Sequence, residues 1–185
     1  MKRILIPLAA ISVGACSSSP VLEPEMETAT LCIGSSVLPK PIRDQFKALD
    51  DPDLLNKALG APNRGKLCQA QVYESKVGIK LTLYRAWNST NPNSRFGNWW
   101  AFEKPAGKIS THRAEYQICY QWTPLDKLET CMLKPGTKLV VGTGQSIKCS
   151  EFLSYSVSDT LQIFIDDAKN SLINCSSFDG EFNWK

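Results

Sequence analysis

The chain has 185 residues, a formal net charge of +3, and 43% hydrophobic, 9% aromatic and 21% charged residues. That balance fits a folded domain with a real core and excludes a disordered chain. The weak positive charge has no basic run with interleaved aromatics, which argues against nucleic acid as a partner, and the single histidine, His112, offers no paired-imidazole metal site.

The chain opens on Met1-Lys2-Arg3, then an apolar stretch over residues 4–13, then Val13-Gly14-Ala15-Cys16. A basic start, an apolar run too short to span a bilayer and small residues at the end form a secretory signal. With cysteine at the cut, the segment resembles a bacterial lipobox. The resemblance implies a signal peptide over 1–15 and a lipidated, membrane-anchored Cys16. Ser17 in place of Asp implies sorting to the outer membrane of a Gram-negative bacterium. Residues 16–30 are rich in Ser, Pro and Glu and lack an apolar period, so they read as a tether. Residues 31–185 are then a single globular domain.

Ile42, Phe46 and Leu49 recur at helical spacing and predict a helix over 41–49. Asp51-Pro52 is an N-cap followed by proline in the first turn. Leu54, Leu55, Ala58 and Leu59 form its apolar face, and Gly60 with Pro62 ends it. Strand-like runs follow at 68–73, 77–87 and 97–102. Tyr116, Cys119 and Tyr120 suggest a short helix within 114–122. Further strands are expected at 128–133, at 138–142 (broken by Gly142 and Gly144), at 161–165 and at 172–175. Helices first and strands after, with no regular alternation, predict an α+β fold: short N-terminal helices packed on a mostly antiparallel or mixed sheet.

Beside Cys16 stand Cys32, Cys68, Cys119, Cys131, Cys149 and Cys175. An even number in an exported chain predicts a disulfide framework. Closing the shortest loops pairs Cys32 with Cys68, Cys119 with Cys131, and Cys149 with Cys175.

No nucleophile elbow, phosphate loop or metal-ligand pair appears. A triad around His112 has no local support, Gly142-Thr143-Gly144 reads as a turn, and Asp166-Asp167 as a solvated strand end. One ordered set remains. Arg85 ends an early strand, Gly97-Asn98-Trp99-Trp100 follows, and Gln162 lies on a late strand. The segments "LYRAW", "FGNWW" and "LQIFIDD" resemble, in this order, bacterial ADP-ribosyltransferase-like toxin domains, including NAD glycohydrolases. The resemblance covers residues 82–175. It implies an enzyme using NAD as substrate, with Arg85 holding phosphate or ribose, Trp99 or Trp100 walling the ring, and Gln162 as the late-strand catalytic residue. The alternative for the same residues is architecture: tryptophans in the core, Arg85 paired with an acid such as Glu103, and Gln162 facing solvent on an edge strand.

A second segment, "LLNKALGAPNRGKL", is similar to a helix and turn in small outer-membrane lipoproteins that act as assembly modules. The leading expectation is therefore a lipid-anchored binding module with an envelope protein partner and no cofactor. The alternatives are an NAD-directed enzyme and an immunity lipoprotein.

Overall fold

The protein's structure is a computed structural model, and it describes residues 31–179. The signal, the tether and Cys16 lie outside the described residues. No described helix is long and apolar enough to cross a membrane.

The elements in chain order are α1 (Lys40–Arg43), β1 (Phe46–Leu49), α2 (Pro52–Ala58), β2 (Leu67–Ser75) and β3 (Thr82–Trp87). A 3-10 turn (Pro92–Phe96) leads to β4 (Trp99–Ala101), α3 (Ile109–Glu115), β5 (Lys127–Leu133) and β6 (Lys138–Gly144). Then come β7 (Ile147–Lys148), β8 (Ser154–Tyr155), β9 (Leu161–Phe164), α4 (Ala168–Ser171) and β10 (Leu172–Asp179). Eight strands form one sheet in the order β1-β2-β6-β9-β4-β3-β5-β10. Every strand pair in it is antiparallel. The fold is α+β, as expected.

Several boundaries differ from expectation. The helix over 41–49 is instead a single turn, α1, followed by strand β1. The spacing of Ile42, Phe46 and Leu49 suits a helix, but pairing Phe46–Leu49 with Val72–Ser75 satisfies the backbone and buries Phe46 in the core. The strand run from residue 77 begins only at Thr82, because Gly78 turns there with φ of +83°. The helix within 114–122 lies earlier, as α3, and Gln117 at φ of +48° turns the chain after it. α2 forms as expected: the Asp51 carboxylate accepts from the Leu54 amide at 3.1 Å, a cap that contributes about 1 kcal/mol.

Gly142 and Gly144 do not break β6; they sit inside it. A Cβ on Gly142 would meet the Gln69 carbonyl oxygen at 2.1 Å, and one on Gly144 would meet Gln117 Oε1 at 1.7 Å. Both glycines make room for neighbours rather than for a turn.

Three disulfides join Cys32–Cys68, Cys119–Cys149 and Cys131–Cys175. The first pairing is as expected and the other two are corrections. Cys131 lies on β5, whose neighbour is β10. Cys175 sits in the bulge between Ile173 and Ser176 of that strand, so it faces Cys131. Strand order, not loop length, chose the partner.

The sheet has two apolar faces. On one, Leu83, Trp100, Cys131, Val141 and Ile163 belong to the main core. On the other, α2 packs through Leu54 and Ala58 over Val72, Val140 and Phe164. Further along that second face, Ile109 of α3 and Leu125 form a smaller cluster with Ala86 and Ile118. The gap between the two patches positions the site.

Candidate functional site

Directly paired residues of antiparallel strands share a face. One such row crosses the sheet as Ala70, Gly142, Gln162, Ala101 and Tyr84. Three of its five side chains are Ala or Gly. Ala70 packs against the α2 patch, and the small Ala101 leaves space above the sheet on the side of α3. A cavity of about 290 Å³ lies there, lined by Tyr84, Ala101 and Gln162 from this row and by Trp99 on the same face; Arg85 and Trp87, which project from the other side of β3, border it where β3 and β4 part.

The four residues singled out in the sequence, Arg85, Trp99, Trp100 and Gln162, all line this one cavity. Their roles differ. Trp100 is 2% exposed and its side chain belongs to the core of the opposite face; its indole N–H donates to the Gly97 carbonyl at 2.8 Å. Trp99 is only partly buried and meets Phe164 edge-on at 5.1 Å. Of the two, Trp99 is the less buried. Gln162 does not face solvent on an edge strand. It is buried on the interior strand β9, and its amide nitrogen donates to Gln117 Oε1 at 2.7 Å.

Arg85 owes its position to a break in the ladder. β3 pairs β4 at Tyr84 and Ala101 alone. Where the pairing stops, the Arg85 guanidinium bridges the gap: Nε donates to the Ser94 carbonyl at 2.8 Å and Nη1 to the Trp99 carbonyl at 2.6 Å. Gly97 is needed there, because a Cβ on it would lie 2.3 Å from Nη2.

No carboxylate among the described residues holds this cation. Its ion pair with Glu103 is not formed, and its cross-strand neighbour Glu129 is occupied by Arg95, which donates Nε and Nη2 to the Glu129 carboxylate at 2.9 and 2.8 Å. Burial alone brings Arg85 down to about 10, so it remains a cation at neutral pH.

The remaining lining residues have a consistent electrostatic character. Burial first, then the adjacent Arg113 guanidinium, pushes His112 down to about 4, which leaves it neutral at pH 7. Its ring stacks at a tilt on Tyr116, 4.5 Å away. Burial, with Glu103 and Glu115 behind it, pushes the Tyr116 phenol up to about 12, so it too is neutral. Arg64 and Lys66 add two exposed cations. Among the described residues that line the cavity there is no Asp or Glu.

Reading the sequence missed Trp87, Gln117 and Trp122. Trp87 was legible in principle, since it alternates with Arg85 on the same strand. Gln117 carried no signal, because its partner Gln162 lies 45 residues away in sequence. Elsewhere, Asp166 pairs with Lys57 at 2.5 Å and Asp167 caps α4. Glu129 lies beside Cys131 and Cys175, but both sulfurs are used in a disulfide.

No family model, no curated protein and no solved structure matches this chain.

Proposed function

We propose that this chain is a lipid-anchored binding module of the bacterial outer membrane whose disulfide-stapled domain takes a small ligand in the cavity between α2 and α3. The observation that carries the reading is that Arg85, Trp99 and Gln162, drawn from three different strands, line one cavity. A largely pre-formed concave space with aromatic walls and a few polar groups is the usual form of a small-molecule site. Binding is favoured over catalysis because the lining offers no carboxylate, and the nitrogen of Gln162 is already engaged by Gln117.

Two experiments test the two halves of this reading. Cys16→Ser should abolish lipid labelling and release the chain from membranes; unchanged labelling and fractionation would remove the anchor from the proposal. For the cavity, a panel of small charged and neutral ring compounds should perturb the amide and indole resonances of Tyr84, Trp99 and Gln162. Perturbations confined to other surfaces, or none in a folded protein, would leave the cavity as a packing defect.

The same placement of Arg85, Trp99 and Gln162 also favours a second reading, an ADP-ribosyltransferase-like domain acting on NAD. Nicotinamide release from NAD, lost in Arg85→Lys and Gln162→Ala, would decide for it over the binding module.

A further inference from the structure

Two donor groups at the cavity, on Arg85 and Trp87, have no acceptor among the described residues. The Arg85 guanidinium donates from Nε and Nη1 to backbone carbonyls. No described residue accepts from Nη2, and no described carboxylate pairs with this cation. Trp87 is 9% exposed and lines the same cavity. Its indole Nε1 is one of only two buried side-chain polar atoms among the described residues without a hydrogen-bond partner. A buried N–H without an acceptor is unfavourable, and Arg85 is a partly buried cation with no counter-ion among the described residues. Both are relieved by one kind of occupant, an acceptor-rich anion.

The walls and the size narrow the occupant further. Tyr84, Trp99 and Trp122 present aromatic surface, and Trp122 is 56% exposed. Flat apolar walls suit a flat ring. The volume of about 290 Å³ sits at the lower end of the range for small-molecule sites, roughly 300–1,000 Å³. One ring with a short charged substituent can be enclosed in that space. Arg64 and Lys66 add a positive field that draws an anion in.

We propose that the cavity binds a small molecule carrying one flat ring and one oxyanion group, a carboxylate or a phosphate, with the anion on Arg85 and the ring against Trp99. The proposal rests on the reading of the cavity as a binding site and adds the chemical class of its ligand. Arg supplies the planar fork that recognises carboxylate and phosphate alike.

The test uses the chain with its three disulfides formed. Calorimetry and two-dimensional nitrogen–proton spectra are recorded with benzoate and with phenyl phosphate. Benzyl alcohol serves as the ring without charge, and inorganic phosphate as the charge without ring. At least one of the two ring anions should bind tenfold or more tightly than either control and shift the Trp87 indole resonance, assigned by its loss in Trp87→Phe. The stronger of the two identifies the group as carboxylate or phosphate. Arg85→Gln should reduce that anion to the level of benzyl alcohol without changing the affinity for benzyl alcohol itself. Should Arg85→Gln fail to fold, Arg64→Glu, at an exposed position, should weaken the ring anions several-fold and leave benzyl alcohol unaffected. Benzyl alcohol binding in the cavity as tightly as the anions would overturn the ligand class while leaving the binding-module reading in place. Inorganic phosphate matching phenyl phosphate would overturn the role of the ring. Absence of any shift at Trp87 and Trp99 with all four probes would overturn the proposal outright.

Discussion

Arg95→Met should lower the stability of the domain by about 2–4 kcal/mol in urea denaturation. Glu129 is 0% exposed, whereas Arg95 is 36% exposed. The pair is therefore asymmetric, a fully buried carboxylate met by a partly solvated guanidinium. Removing the cation leaves the carboxylate with the Ser177 hydroxyl and no counter-charge. Breaking a fully buried pair typically costs about 3–5 kcal/mol; partial solvation of Arg95 places the expected loss somewhat lower. The double variant Arg95→Met with Glu129→Gln should recover much of the deficit, because no charge is then left buried. A loss below about 1 kcal/mol would mean that the pair behaves as an ordinary surface salt bridge. The interaction also bears on the site, since by holding Glu129 it keeps Arg85 without an acid.

An effect at least as large is expected on the second disulfide. Replacing Cys119 and Cys149 together by alanine should cost about 3–4 kcal/mol. The bridge closes a segment with a sequence separation of 30, and the chain-entropy model assigns about that stabilisation to such a loop. In a domain of this size the melting midpoint should fall by roughly 6–15 °C. The same loops carry more than the bridge: Gln121 donates to the Cys149 carbonyl at 2.7 Å, and Trp122 lines the cavity. The variant should therefore also alter the environment of the Trp122 indole, seen as a shift in fluorescence. Peptide mapping without reduction checks the premise, and a Cys119–Cys131 peptide in the native protein would refute the pairing.

These two cases mark where local sequence information ends. Residues close in the chain determined a good deal. Asp51, Pro52 and Gly60 delimit α2 because capping groups, proline and glycine act within a turn of the helix. The β-branched and aromatic runs marked most of the strands. Six cysteines apart from Cys16 announced a disulfide framework. Arg85 and the tryptophans of "FGNWW" were legible as a cation and an indole at the ends of neighbouring strands, and the structure brings them to one cavity with Gln162.

The tertiary structure alone decided the partners. Phe46 entered an edge strand rather than a helix because β2 was there to pair with it, and an apolar spacing does not record what lies alongside. Cys131 took Cys175 because β5 and β10 are neighbours. Glu129 went to Arg95 rather than to Arg85, the residue opposite it. Gln162, Ala101 and Tyr84 came to line one cavity only when strand order aligned them in one row. The physical reason is common to all of these. Caps, turns and periodicity act over a few residues and leave their mark in the local sequence. Partner choice depends on which strands become adjacent, and side chains far apart in the chain compete for the same neighbour only once the sheet has formed.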